Sequence, residues 1–132
     1  DYTQDADDLR RRYNTFKKDR YSRAFSHNHQ MILPGYTYSG QPIMITEYGG
    51  VKAEEQGADG WGYGESAKSY AEMLDRIDAL TSAIRDEPEI CGYCYTQLTD
   101  VEQEVNGLLT YDREPKVEPA RFRAIFGLDS ER

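Results

Sequence analysis

Two short apolar runs separated by one long amphipathic segment constrain this chain more than any other feature. The first run is Pro42-Ile43-Met44-Ile45-Thr46-Glu47, closed by Gly49-Gly50, and the second spans residues 89–97. The first is continuously apolar rather than alternating, as in a strand covered on both faces of a parallel sheet. Between the two runs, Tyr70, Met73, Leu74, Ile77, Leu80 and Ile84 recur at helical spacing. A helix is therefore expected over residues 66–86, with Ser69 and Glu72 spaced as a capping box. Strand, helix and strand in that order make a βαβ unit and imply parallel pairing. A polar helix is expected from Asp5 to about residue 18, capped by its leading acids and burying a narrow stripe of Leu9, Tyr13 and Phe16. Glu118-Pro119 opens a last short helix, with Phe122, Ile125 and Phe126 inward and Gly127 at its end. The fold class is α/β. Two parallel strands do not form a stable sheet alone, so further chain or another copy of this one must cover them. Self-association of the chain is the expectation.

Length and charge narrow the function classes. The 132 residues fit one domain at most, spanning 1–132. The net charge of −8, from 24 acidic and 16 basic residues, is opposite in sign to that of a general nucleic-acid or anionic-membrane binder. No apolar run approaches the length of a membrane span. A neutral ligand or a protein partner suits this charge better. The 11 tyrosines, each with an apolar face and a polar tip, suit carbohydrate contact, and they suit ordinary interfaces too. The chain opens on Asp1-Tyr2-Thr3, as a piece cut from a longer protein would, and localisation stays open, with the cytoplasm favoured over export.

Three constellations that look like metal or redox sites do not hold up. In Cys91-Gly92-Tyr93-Cys94, strict alternation puts Ile90, Gly92 and Cys94 on one face and Cys91, Tyr93 and Tyr95 on the other, so the thiols cannot pair within the strand. With no second Cys pair to complete a zinc site, buried structural cysteines are expected. The acidic segment 100–107 has Val105 where an EF-hand loop needs glycine. His27 and His29 have no third ligand nearby in sequence. No metal and no cofactor are expected.

Glu47 is the sharpest candidate. It ends an apolar strand and precedes a Gly-Gly turn, and in βα folds ligands bind at the strand C-termini. A carboxylate on so rigid a support suits a nucleophile. Taken alone, the residue fits an acid that merely ends a strand still better. Tyr48, Trp61, Tyr63, Tyr93 and Tyr95 are aromatics near the same rim, where each could stack on a sugar or simply pack.

Residues 42–50 resemble the strand-seven nucleophile segment of glycoside hydrolase family 2, the family of β-galactosidases, β-glucuronidases and β-mannosidases. Residues 92–109, Gly92-Tyr93-Cys94-Tyr95-Thr96-Gln97-Leu98-Thr99-Asp100 through Asn106-Gly107-Leu108-Leu109, resemble the strand-eight segment of a bacterial branch of it. Asp112-Arg113 through Lys116 resemble the stretch that follows, and Asp1-Tyr2 the tail of strand six. The resemblance implies a partial (β/α)8 TIM barrel, covering roughly the last two βα units plus the preceding helix. It implies a retaining β-glycosidase acting on a β-glycoside, with Glu47 as nucleophile. The family's acid/base follows an Asn at the end of strand four. No Asn-Glu pair occurs in this sequence, so the resemblance places that residue outside the chain and implies an inactive piece. It also implies substrate contacts from Tyr2, Trp61 and Tyr95, with Tyr2 bonded to the nucleophile and Tyr95 standing where relatives often carry Trp, and for Asp100 and Asn106 either loop structure or a polar sugar contact; Tyr48 and Tyr63 are expected at the substrate from their place on the rim. The alternative is a non-catalytic carbohydrate-binding or assembly protein that reuses the segment.

Overall fold

The computed structural model describes residues 1–18, 25–26, 29–56 and 59–128; His27 lies outside them. Three helices flank one parallel strand pair. Helix α1 is Ala6–Lys18, strand β1 is Phe25–Ser26 and strand β2 is His29–Gln30. Strand β3 is Ile43–Gly49, helix α2 is Tyr70–Arg85, strand β4 is Ile90–Thr96 and helix α3 is Pro119–Ile125. β1 and β2 form a small antiparallel ribbon, while β3 and β4 pair in parallel with α2 as the crossover.

The helix boundaries follow local chemistry. Asp5 Oδ1 accepts from the amides of Asp7 and Asp8 at 2.8 and 2.9 Å, so that two otherwise orphaned donors are satisfied at the start of α1. Ser69 Oγ accepts from the Glu72 amide at 3.2 Å. Glu72 reaches back to the Lys68 amide at 3.0 Å, so the box closes one residue earlier than expected. Pro119 starts α3 where a missing N–H costs nothing, and Gly127 takes φ +67 just past its end.

The core lies between α2 and one face of the strand pair. Met73, Ile77, Leu80, Ala83 and Ile84 of α2 are fully buried, with Ile45 and Tyr48 from β3, Leu9 and Tyr13 from α1 and Phe122 from α3. Tyr48 and Thr81 join the two elements by a buried bond of 2.7 Å. Thr81 already gives its hydroxyl proton to the Ile77 carbonyl, so Tyr48 is the donor.

Two register irregularities decide which residues face this core. Ile43 pairs with Ile90 and Met44 with Gly92, so Cys91 is an extra residue on β4. Ile45 pairs with Tyr93 and Tyr48 with Tyr95, so β3 carries three steps against two and holds one extra residue at Thr46 and Glu47. Each bulge reverses the alternation beyond it. Ile90 therefore packs on the core together with Tyr93 and Tyr95, and Cys91 is turned outward. Cys94 lies on the opposite face from Tyr93 and Tyr95, which α2 and α3 do not cover. Both thiols are exposed, which corrects the expectation of buried cysteines. The uncovered face also carries Met44, 60% exposed, and runs into an apolar cleft of about 550 Å³ that includes Met31, Leu33, Tyr36 and Pro42.

Leu80→Ala empties a fully buried site in α2, and the expected loss is about 2–5 kcal/mol of unfolding free energy. Leu98→Ala, at a position 66% exposed, is expected to stay within about 0.5 kcal/mol. Urea titration followed by circular dichroism measures both.

Candidate active site

The bulge in β3 places Glu47 on the exposed side while its neighbours Ile45 and Tyr48 stay in the core. On its other flank β3 meets the start of the chain, where the main-chain nitrogen of Asp1 donates to the Glu47 carbonyl at 2.5 Å. That contact brings Tyr2 alongside, and its hydroxyl donates to Glu47 Oε2. Burial, and then this bond to the carboxylate, hold the Tyr2 phenol well above its usual pKa, so Tyr2 stays a proton donor. The Asp1 side chain is buried and paired with Arg12 of α1, which fixes the segment from the other side. Gln4 completes the clamp, its Nε2 donating to the Gly49 carbonyl at 2.6 Å.

An aromatic wall continues from there. Tyr2 stacks on Tyr63 with ring centroids 3.6 Å apart and planes 6° from parallel, and Trp61 meets Tyr63 edge-on at 5.5 Å. Gly50 makes this approach possible. Its φ is +69, and a Cβ there would lie 2.3 Å from the Tyr63 ring. The Gly50 carbonyl in turn accepts from the Tyr63 amide at 2.9 Å. Glycine serves both needs, the left-handed backbone and the close ring. Trp61 is 47% exposed, and Tyr63 is half-buried.

The loops after β3 and after β4 are sewn together beneath this wall. Trp61 donates to the Gln103 carbonyl at 2.7 Å and accepts from the Val105 amide at 3.0 Å. Asn106, fully buried, accepts from Gln97 at 2.9 Å and donates to Glu104 at 3.1 Å. Asp100 Oδ1 accepts from the Gly107 amide at 2.8 Å and from Lys116 Nζ at 2.6 Å. Lys116 also reaches the Val105 carbonyl at 3.3 Å. Desolvation lowers the Lys116 amine, and the Asp100 carboxylate opposes that shift.

Of the residues expected at the substrate, Glu47, Tyr2, Tyr63 and Trp61 come together. Tyr48 does not. The bulge turns it inward, where it is fully buried and bonded to Thr81. Asp100 is withdrawn as well, because a carboxylate this buried is held by its ion pair and acts as a loop anchor. Tyr95 braces the turn from behind. Its ring lies 2.2 Å from where a Gly49 Cβ would sit, stands edge-on to Tyr48 at 5.5 Å, and its hydroxyl accepts from the Val51 amide at 3.4 Å. Tyr93, also placed near the rim, has its hydroxyl on the Phe126 carbonyl at 3.5 Å, on the helix side. Lys116 and Gln4 are the site-building residues that sequence reasoning missed. Their partners lie 16 and 45 residues away, and no local pattern signals either. Among the described residues no group of three or more His, Cys, Asp or Glu could hold a metal ion.

No protein-family model matches the sequence, and no curated protein matches it. Among solved structures, a Bifidobacterium dentium β-glucuronidase complexed with coumarin-3-O-glucuronide matches at 24% identity and TM-score 0.48, over 65% of this chain and 15% of that one. A Faecalibacterium prausnitzii β-glucuronidase matches at 20% identity and TM-score 0.49, over 68% of this chain and 16% of that one. A Bacteroides uniformis β-glucuronidase matches at 17% identity and TM-score 0.52, over 85% of this chain and 12% of that one. At these identities the likeness is one of fold, and the Bacteroides uniformis structure carries it. The chain spans between 12% and 16% of the length of these enzymes.

Asp100→Ala leaves the Lys116 ammonium buried without its counter-ion, and a loss of about 3–5 kcal/mol is expected. Glu47→Gln keeps an acceptor for Tyr2 at an exposed position, and a change within about 0.5 kcal/mol is expected. Denaturant unfolding of the two variants distinguishes a loop anchor from a residue held for chemistry.

Proposed function

We propose that this chain is the nucleophile-bearing portion of a retaining β-glycosidase of glycoside hydrolase family 2, part of a (β/α)8 barrel whose remaining strands lie outside it. The observation that carries this reading is Glu47, exposed at the end of a strand, with one oxygen held by the Tyr2 hydroxyl beside a wall of Tyr63 and Trp61. The fold likeness to a β-glucuronidase over 85% of this chain supports it, as does the resemblance of residues 42–50 and 92–109 to strands seven and eight.

The chemistry follows from that geometry. The Tyr2 bond occupies Oε2, so attack on the anomeric carbon falls to Glu47 Oε1. The bond from that carbon to the leaving oxygen breaks as a glycosyl ester forms, and a second carboxylic acid gives its proton to the leaving oxygen. The same group then takes a proton from water, which releases the sugar and restores Glu47. Tyr2 keeps the carboxylate aimed before attack, while the aromatic wall offers flat apolar surface to a sugar ring. The second acid is contributed from outside this chain.

The uncovered face of β3 and β4, with Met44 and the apolar cleft beside it, is where the rest of the barrel would pack. In the 132-residue chain alone, a second copy covers it.

Two measurements test this reading. The purified 132-residue chain is expected not to hydrolyse aryl β-glycosides, whereas in a longer enzyme containing it Glu47→Gln is expected to lower kcat on the order of 10³-fold or more. Turnover by the chain alone that vanishes with Glu47→Gln would overturn the division of the catalytic pair. Light scattering is expected to show association of the chain that rises with concentration, and a Met44→Lys variant is expected to weaken it. A monomer at high concentration would count against the covered face.

A further inference from the structure

The cations around the proposed site are tied into the protein, and that bears on which sugar it accepts. Among the described residues, the cations bonded into the rim point into the protein. Lys52, 7% exposed, donates from Nζ to the Gly60 carbonyl at 2.8 Å. Lys116 is buried on Asp100 and the Val105 carbonyl. Arg12 is committed to the buried Asp1 carboxylate. Two carboxylates, Asp1 and Asp100, are buried with these cations as their partners. Glu47 and Glu102 are exposed, whereas Glu104, half-buried, has its carboxylate on the buried Asn106 amide at 3.1 Å. Lys68 and Arg113 are the exposed cations of the two loops, and neither is grouped with the wall. Lys68 leads into α2 with its amide on Glu72. Arg113 lines a different cleft with Thr99, Val101 and Tyr111, which contains none of Glu47, Tyr2, Tyr63 or Trp61.

We infer that the glycosyl unit taken beside Glu47 is uncharged and that this rim selects against uronic acids; the inference rests on the β-glycosidase reading of the site. A uronate brings a second carboxylate close to Glu47. Its affinity then depends on a cation that can leave its present bonds to meet it. Lys52 and Lys116 cannot turn outward without abandoning a buried carbonyl or a buried carboxylate. The carboxylate of the sugar would meet that of Glu47 instead, and like charges at close range repel. A neutral hexose meets only the aromatic wall and hydrogen-bonding groups. The Bacteroides uniformis structure that shares the fold is named a β-glucuronidase, and this chain thus differs from it in the charge of the sugar.

Trp61 is the single tryptophan, so its fluorescence reports the wall directly. The 132-residue chain is titrated at about pH 7, where a uronate is ionised, with methyl β-D-galactoside, methyl β-D-glucoside and methyl β-D-glucuronide. At least one neutral glycoside is expected to shift or quench Trp61 emission at a concentration at least about tenfold lower than the glucuronide needs. The gap is expected to narrow as salt is raised from about 0.05 to about 0.5 M, as for a charge effect. A glucuronide that binds as tightly as the neutral sugars, or more tightly, overturns the inference and leaves the glycosidase reading standing. If no glycoside changes Trp61 emission while circular dichroism shows a folded chain, the sugar site itself is refuted and the inference with it.

Discussion

One extra residue in β3 organises the site. A regular strand would put Ile43, Ile45 and Glu47 on one face and Met44, Thr46 and Tyr48 on the other. The bulge at Thr46 and Glu47 lets Ile45 and Tyr48 both enter the core while Glu47 turns to the open side. The Tyr48 bond to Thr81 and the hydrophobic contacts of α2 hold this arrangement, so the orientation of the candidate nucleophile is paid for by the core. A bulge beside a reactive group is a recurrent means of aiming a side chain without distorting the sheet around it.

The same economy of means builds the wall opposite Glu47. Gly49 and Gly50 take left-handed backbone angles and give Tyr95 and Tyr63 the room to close against the turn. Tyr95 supports that turn from the core side and Tyr63 presents the stacked face. The loop after β4 then holds Trp61 by two main-chain bonds, and the buried Asp100–Lys116 pair holds that loop. The residues on the surface of the site are few, and each rests on polar or aromatic partners that do not touch a ligand. Those partners also fix the charge pattern, because cations used as anchors beneath the rim are lost to recognition above it.

Periodicity and punctuation made the elements legible. The apolar stripe of α2, the capping pair Ser69 and Glu72, the Asp5 cap and the Pro119 and Gly127 boundaries all act within one or two turns of helix, so sequence exposes them directly. The bulges are different. Cys91 and Thr46-Glu47 carry no local signature, because an extra residue exists only relative to the partner strand that it faces. Strict alternation therefore misplaced the cysteines, and adjacency to Glu47 in sequence put Tyr48 on the rim. For Asp100 the choice between loop structure and a sugar contact was hidden for a related reason: its partner Lys116 lies 16 residues on, and burial of both becomes visible only when the loop has folded back on itself.

The sequence by itself determined the order of helices and strands, the parallel pairing that the order requires, and the place of Glu47 at a strand end before a Gly-Gly turn. These follow from side-chain spacing and from backbone preferences that act over a few residues. Only the tertiary structure decided that Tyr48 is core and that Asp100 and Lys52 are anchors. Each of those outcomes depends on which distant group arrives to satisfy a buried donor, acceptor or charge, and a linear pattern does not encode that arrival.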